Sequence, residues 1–207
     1  MKQGRILIVS GPSGVGKGTI VREVMRDNPS LRFSVSATTR AIRTGETEGE
    51  SYYFVTKERF EEMIAAGELL EYASYAGNYY GTPLKPVERA LESGISVVLE
   101  IDVQGGLQVL RRRPDAISVF IAPPSFDELK RRLVGRGDTP PEVAARRLQI
   151  AVQECETAKQ YQYTVVNDDL RRAVETLEAI LTAEACKSTY CNIELKEEPN
   201  YAVSRNV

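Results

Sequence analysis

The residues with the clearest chemical meaning form a glycine-rich loop near the N-terminus. An apolar run at 6–9 precedes the loop, and apolar residues at helical spacing follow it. Glycines let successive backbone N–H groups point inward, the following helix adds the positive end of its dipole, and a lysine adds a mobile cation. The pattern predicts a polyphosphate-binding loop made of Gly11, Pro12, Ser13, Gly14, Val15, Gly16, Lys17, Gly18 and Thr19.

One position departs from the usual pattern of such loops. Ser or Thr normally follows the lysine and binds magnesium, whereas this chain has Gly18. Thr19 lies about 100° further round the helix, so its hydroxyl cannot simply replace the missing one. We therefore expect metal binding to depend more on water and on carboxylates elsewhere in the chain.

Two such carboxylates, Glu100 and Asp102, stand at the end of the apolar run 95–102. Ligands of doubly wound sheets bind beyond the carboxyl ends of the strands, so both side chains are expected to face the phosphate loop. Acidic groups there commonly hold magnesium or position a nucleophile. The alternative for Asp102 is a purely structural cap on a helix that starts at Val103.

Arginines flank a segment whose glycines and prolines predict mobility. Arg132 precedes the segment, Arg136 lies within it, and Arg146 and Arg147 follow. Capping patterns on both sides predict that it joins two helices, which makes about 133–146 a candidate lid. Closure of this lid would bring the arginines into contact with one shared anion. The alternative for each arginine is a position on a solvent-exposed helix face, with no ligand.

The elements that would position these groups alternate between strands and helices. Besides the strand at 6–9, strands are predicted at 31–36, 95–102, 117–121 and 163–166, and helices at 17–26, 85–93, from 125 onward and at 170–185. This alternation predicts an α/β fold, a doubly wound parallel sheet built around the phosphate loop.

Residues 35–82 interrupt that alternation and contain six of the tyrosines. A polar loop is predicted at 37–46, and strands at 51–55 and 69–75 flank a helix at 57–66. We interpret 35–82 as an insertion with a face for a polar planar ligand, set in a core of 1–34 and 83–186. The tail 187–207 has no helical or strand pattern and is expected to be flexible.

Composition limits the possible functions. The 207 residues suit one domain, and the net charge of −2 gives no broad attraction to nucleic acid or to an anionic membrane. The absence of histidine excludes Ser-His-Asp and Cys-His nucleophiles and histidine-ligated zinc. The cysteines lack metal-site spacing, and the short apolar run at the N-terminus is no leader or membrane span, so a cytoplasmic protein is predicted.

Several motifs, in this order, resemble the guanylate kinase family, whose members move the terminal phosphate of ATP to GMP. The resemblance covers about 4–185, within a predicted guanylate-kinase-like domain at 1–186. It is carried by GPSGVGK at 11–17, FSVSATTR at 33–40, GNYYG at 77–81, IDVQG at 101–105, RG at 136–137 and VVNDD at 165–169.

The resemblance implies the reaction ATP + GMP = ADP + GDP in purine nucleotide metabolism. Its implied substrates are ATP and GMP, with Mg²⁺ carried as Mg-ATP through waters, Glu100 or Asp102. The family often has Asp at position 100 and Ser at position 18, so both departures from the family pattern are expected to affect magnesium binding. A monomer or small homo-oligomer is expected.

The resemblance also implies roles for single residues. The implied catalytic groups are Lys17, Arg132, Arg136, Arg147 and Asp102. Asn167 joins residues 11–19 in binding ATP. The implied GMP contacts are Ser36, Arg40, Arg43, Tyr52 and Tyr80 on the phosphate and ribose, Glu71, Thr82 and Ser36 on the base, and Asp102 near the acceptor phosphate.

Glu71 has an independent physical argument. Guanine offers N1–H and N2–H₂ donors on one edge and a carboxylate accepts both, whereas adenine presents a bare acceptor there. A buried carboxylate left without donors would reject the wrong base by roughly 10⁴-fold. Glu71 is therefore predicted to select guanine, and the alternative is a surface charge on a strand.

Three other functions compete with this one. A kinase of the same construction could act on AMP or a ribose phosphate. A scaffold domain that binds phosphorylated peptides would be expected to have a damaged phosphate loop, whereas Lys17, Asp102 and the arginines are present. A P-loop GTPase is disfavoured because the chain has no Asn/Thr-Lys-x-Asp signature.

Overall fold

The computed structural model describes residues 4–75, 77–134 and 141–190. Their strands are β1 (Ile6–Ser10), β2 (Leu31–Phe33), β3 (Ala37–Thr38), β4 (Tyr53–Phe54), β5 (Leu69–Tyr75), β6 (Asn78–Pro83), β7 (Ser96–Glu100), β8 (Ile117–Ala122) and β9 (Tyr163–Val166). Their α-helices are α1 (Lys17–Arg26), α2 (Lys57–Ala65), α3 (Leu84–Glu92), α4 (Val103–Arg112), α5 (Phe126–Val134), α6 (Pro141–Glu156) and α7 (Leu170–Ala185). Short 3₁₀ turns span Thr157–Gln160 and Ser188–Tyr190.

The main sheet has five parallel strands in the order β2-β7-β1-β8-β9. Its central strand β1 is buried along its whole length, which explains why its sequence is a continuous apolar run. The register pairs Val9 with Glu100, so the end of β7 lies beside the start of the glycine-rich loop.

Helices cover both faces of this sheet because alternate residues of β1 point in opposite directions. Leu7 and Val9 join a buried cluster with residues of α1 and α7, whereas Ile6 and Ile8 join one with α3 and α4. The α/β, doubly wound architecture predicted from the sequence is confirmed. In the described parts of the chain, no helix is long and apolar enough to cross a bilayer.

A second sheet of four strands, in the order β4-β3-β6-β5, is built from residues between 37 and 83. It has a buried cluster of its own, in which Phe60 of α2 packs with Ala37 and Leu69. Helix α4 joins the two sheets, because Arg112 donates hydrogen bonds to the carbonyls of Leu69 and Leu70.

Two local predictions need correction, and one strand was not predicted. Strand β2 ends at Phe33 and does not reach 36, and residues 37–38 form β3 where a polar loop was expected. Residues 78–83, for which no element was predicted, form β6. These strands form because Ala37 pairs with Gly81, and β6 pairs along the length of β5. Part of the predicted lid, residues 135–140, lies outside the described residues, as does 191–207 of the tail.

Candidate active site

The glycine-rich loop adopts the curled backbone that its sequence predicts. Gly11, Gly14 and Gly16 have φ values of +145°, +83° and +94°, a region that favours glycine. Gly16 is also the N-cap of α1, so the loop runs directly into the first helical turn. A side chain at Gly11 would place its Cβ 2.2 Å from the Ile121 carbonyl oxygen, so neighbouring backbone also restricts this position to glycine.

Lys17 folds back over the loop. Its Nζ donates hydrogen bonds to the carbonyl oxygens of Gly11 at 2.6 Å and Pro12 at 3.1 Å. Burial lowers the pKa of Lys17, and the charges of Glu100, Glu154 and Asp102 oppose that shift. The ammonium group is thus surrounded by acidic groups at the mouth of the loop.

Glu100 lies against the first turn of α1. Its carboxylate oxygens are 3.0 and 3.1 Å from the position that a Cβ on Gly18 would occupy. A side chain at residue 18 would therefore require the Glu100 carboxylate to shift by a few tenths of an ångström. The two departures noted in the sequence are therefore neighbours in space.

Asp102 is the N-cap of α4. Its Oδ1 accepts the backbone N–H of Gly105 at 2.7 Å, which satisfies one free donor at the helix start. The capping role considered from the sequence is therefore real. Its second oxygen, Oδ2, makes no hydrogen bond within the described parts of the chain and remains available to a ligand.

Glu71 lies buried in the second sheet with only 5% of its surface exposed. Thr82 faces it across the β5–β6 pair and donates its hydroxyl proton to Oε1 at 2.6 Å. Burial raises the pKa of Glu71 to about 7; the Thr82 hydrogen bond opposes that rise and the charge of Asp102 adds to it. Glu71 is thus a buried carboxyl group with one hydrogen-bond donor, Thr82, and not a charged group on the surface.

A cavity of about 310 Å³ separates the second sheet from the carboxyl end of β7. Ser36, Tyr52 and Thr82 line one side of it, and Leu99 and Glu100 line the other. A larger cavity of about 990 Å³ lies at the opposite edge of the main sheet, where strands begin. Because ligands of such sheets bind at the carboxyl edge, the smaller cavity is the functional candidate.

Aromatic rings and an arginine form one wall near this cavity. The Arg40 guanidinium carbon lies 5.4 Å from the centre of the Tyr52 ring, a cation–π distance. The Tyr52 and Tyr80 rings meet edge to face, with centroids 6.1 Å apart. Three of the predicted phosphate-binding residues therefore lie together.

The family model described as guanylate kinase matches residues 3–184. The chain belongs to the guanylate kinase family. It is 49% identical over 178 residues to a guanylate kinase from Trichormus variabilis, covering 86% of this chain and 89% of that one. Another guanylate kinase, from Carboxydothermus hydrogenoformans, is 49% identical over 192 residues and covers 93% and 94% of the two chains.

Solved structures agree with this assignment. The crystal structure of guanylate kinase from Anaplasma phagocytophilum superposes with a TM-score of 0.72 at 36% sequence identity. The match covers 91% of this chain and 90% of that one. The resemblance stated from the motifs is confirmed.

The remaining predicted site residues lie at different distances from the loop. Asn167 is buried and donates from Nδ2 to the Val15 carbonyl at 2.7 Å. Arg132 donates to the Asn167 carbonyl at 3.0 Å and to Glu128 at 2.6 Å, so it lies against the outer side of the loop. Arg147 makes no hydrogen bond or ion pair within the described ranges, and Arg136 lies outside them.

Two acidic residues near this site were missed from the sequence. Glu154, on α6, lies near Lys17 and near the backbone of Ser13; burial raises its pKa. Glu46 pairs with Arg40, at 2.7 Å between Nη2 and Oε1. Neither belongs to a recognisable motif, and Glu154 is far along the chain from the loop it contacts, so only an amphipathic pattern in α6 could have suggested it.

Proposed function

We propose that this protein transfers the terminal phosphate of ATP to the phosphate of GMP and releases ADP and GDP. The observation that carries the proposal is the pairing of an intact lysine loop with a buried Glu71–Thr82 pair beside the carboxyl edge of the main sheet. The first feature suits a triphosphate and the second suits guanine. A scaffold that only binds peptides would need neither.

The donor nucleotide is proposed to lie on the glycine-rich loop. Backbone N–H groups of the loop and the start of α1 favour its phosphates. Lys17 would exchange its two carbonyl partners for phosphate oxygens and stabilise charge that develops on the transferred group. We propose that Arg132, Arg136 and Arg147 add positive charge when the lid segment closes, and that Asn167 lies near the adenine.

The acceptor is proposed to lie in the cavity between the two sheets. Glu71 would accept the N1–H and N2–H₂ donors of guanine, and the Thr82 hydrogen bond fixes the orientation of its carboxylate. Ser36 also contacts the base in this proposal. The phosphate would lie among Arg40, Arg43, Tyr52 and Tyr80, with Asp102 close to it.

The reaction needs no covalent intermediate on the protein. In phosphoryl transfer the protein mainly aligns the two nucleotides and offsets repulsion between their phosphates. In this proposal Lys17 acts on the donor side and Arg40 on the acceptor side, so the acceptor oxygen attacks in line with the departing ADP. Closure of the lid would exclude water, which otherwise competes as an acceptor.

We propose Mg²⁺ as the metal that accompanies ATP. In the described parts of the chain no group of three or more acidic, cysteine or histidine ligands could hold a metal ion. This arrangement fits Mg²⁺, which keeps several waters and binds through one or two carboxylates together with substrate phosphates. Glu100 beside Gly18, with Asp102 as the second candidate, would supply the protein oxygens.

The decisive experiment compares phosphate acceptors. Purified protein with ATP and Mg²⁺ should produce GDP from GMP at a rate at least about 10³-fold above that with AMP, because adenine leaves Glu71 without donors. Ribose 5-phosphate serves as the second acceptor. Equal or faster turnover of AMP or ribose phosphate would overturn the guanine assignment, and release of ADP without any acceptor would indicate an ATPase.

The cytoplasmic location and the monomer or small homo-oligomer stay predictions from the sequence.

A further inference from the structure

The loop between β3 and β4 contains an ion pair that the proposed reaction does not yet explain. Glu46 accepts two hydrogen bonds from the Arg40 guanidinium, Nη2 to Oε1 at 2.7 Å and Nη1 to Oε2 at 3.0 Å. The same Oε2 accepts the backbone N–H of Arg43 at 2.8 Å. One carboxylate therefore joins the two arginines proposed to hold the GMP phosphate.

The turn that presents Glu46 is locally encoded. Gly45 has a φ of +88°, and the backbone N–H of Glu46 donates to the Arg43 carbonyl at 3.1 Å. This turn reverses the chain, so that Glu46 faces Arg40 six residues earlier. The two side chains are only 12% and 21% exposed, so both are largely held in place.

Arg40 is fixed from several directions. Its guanidinium carbon lies 5.4 Å from the Tyr52 ring centre and 5.8 Å from that of Phe54. A guanidinium has five N–H donors in a rigid fork. Glu46 and the Ala41 carbonyl engage three donor contacts, which leaves donors for Tyr80 and for an incoming phosphate.

We propose that Glu46 is a positioning residue that fixes Arg40 so that its remaining N–H groups meet the phosphate of GMP. The inference rests on the proposed function, because it assumes that Arg40 binds that phosphate. Hydrogen bonds from Arg40 keep the pKa of Glu46 below its usual value, so the partner stays ionised in the working pH range.

Two effects of Glu46 on the phosphate oppose each other. Its negative charge repels the phosphate, but this effect is screened by solvent at a partly exposed site. Its hydrogen bonds hold a long, flexible side chain in one orientation, and loss of a charge-assisted pair typically costs about tenfold or more in affinity. We infer that orientation dominates, so loss of the pair weakens GMP binding.

The test uses calorimetry with two probes, GMP and guanosine, on the full chain. Glu46→Gln keeps the size of the side chain but places an amide N–H against the guanidinium, so the two-point contact is lost. The dissociation constant for GMP should rise about tenfold, while that for guanosine, which has no phosphate, should change less than about twofold. Glu61→Gln, an exposed carboxylate on α2, is the matched control and should change neither.

A double-mutant cycle tests whether Glu46 acts through Arg40. In an Arg40→Ala background, Glu46→Gln should have no further effect on GMP affinity, because its target is already missing. Unchanged or tighter GMP binding by Glu46→Gln would overturn the inference, and so would an equal loss of guanosine affinity. Wild-type protein that binds guanosine and GMP equally, or neither, would instead overturn the proposed function, before any variant is compared.

Discussion

At the scale of single residues, the chemistry of this site depends on carboxylates whose surroundings differ. Glu71 is buried and accepts a hydrogen bond from the Thr82 hydroxyl, whereas Asp102 uses one carboxylate oxygen to cap helix α4. Burial disfavours the charged form of Glu71, and guanine would supply the donors that compensate for it. The same residue type therefore recognises a base in one place and supports a helix in another.

Guanine recognition should depend on pH through Glu71. Its pKa is about 7, and only the ionised carboxylate accepts both donors of guanine. Because this pKa is raised, the Glu71 carboxyl group of the free protein stays mostly protonated below about pH 7. The affinity for GMP should therefore be highest above pH 8 and fall by about tenfold between pH 8 and pH 6. Calorimetric titration of GMP at several pH values measures this.

The control for that prediction is Glu71→Gln. The GMP phosphate has its own pKa near 6, which gives a background pH dependence in any variant. The substitution should weaken GMP far more than ATP and leave only this background. A wild-type profile that matches the Gln profile would show that the base is recognised elsewhere.

Gly18 and Glu100 should behave as a coupled pair. The Glu100 oxygens lie 3.0 and 3.1 Å from the Cβ position of residue 18, so Gly18→Ser should displace the carboxylate. Glu100→Asp should withdraw the carboxylate by one methylene. Each single variant should reduce the Mg²⁺-dependent gain in ATP affinity, and the double variant should recover most of it, with a coupling energy of about 1 kcal/mol or more.

This prediction is measured as the ratio of ATP dissociation constants with and without Mg²⁺. Glu92→Asp, on the outer end of α3, provides a carboxylate control away from the loop. Strictly additive losses in the two single variants would mean that the two residues do not share the metal-binding role.

At the scale of elements, α4 links the two sheets and the site. Its N-cap is Asp102, and its side chains Gln108 and Arg112 bind backbone groups of β5. A change at the start of this helix therefore affects both the acceptor site and the position of Glu71. The cap and the chemistry of Asp102 need to be separated by experiment.

Asn and Ser cap helices about as well as Asp, so Asp102→Asn should leave stability within a few tenths of a kcal/mol. It should still reduce kcat/KM for GMP by about tenfold or more, because Asp102 is a candidate ligand of Mg²⁺ and a neutral amide binds that cation more weakly than a carboxylate does. Asp102→Ala should add a loss of about 1 kcal/mol, seen as a 2–4 °C lower Tm. Full activity in Asp102→Asn would mean that Asp102 is only a cap.

Most elements of the main sheet could be predicted because they carry local signals. The strand β1 is a nearly continuous apolar run, β8 is apolar apart from Ser118, and α1 and α7 show helical spacing close to their observed bounds. The short strand β3 has no such signal, because its residue Thr38 pairs with Tyr80, which lies 42 residues later in the chain. Its two residues form a strand because they pair with β6, and not because of their own strand propensity.

The residues of the candidate site also divide into those that carry a local sequence signal and those that do not. The loop glycines and Lys17 follow from a contiguous motif, and Glu71 follows from the chemistry of guanine together with the family resemblance. Glu154 and Glu46 could not be found this way, because an acidic side chain on a helix or in a polar loop is usually solvated. Only the folded chain brings Glu154 to Ser13 and Lys17.

At the scale of the whole molecule, the second sheet has a buried cluster of its own, but its Leu70 packs in a buried cluster of the main sheet. Both sheets also border the cavity between them. Hydrogen bonds from Gln108 and Arg112 tie β5 to helix α4. We therefore expect the described parts of the chain to unfold as one cooperative unit. A ligand that binds the second sheet should then stabilise the main sheet as well.

Calorimetric unfolding tests this coupling. GMP at 100 times its dissociation constant should stabilise the folded state by about 2.7 kcal/mol, which raises Tm by roughly 5–10 °C for a chain of this size. The single transition should move as a whole, because Arg112 and Gln108 transmit the gain to the main sheet. Lys17→Ala should keep this shift with GMP and lose the shift with ATP, since both hydrogen bonds of Lys17 go to carbonyls of the donor loop. Two transitions, of which GMP moves just one, would mean that the second sheet unfolds independently and that closure around the acceptor is local to it.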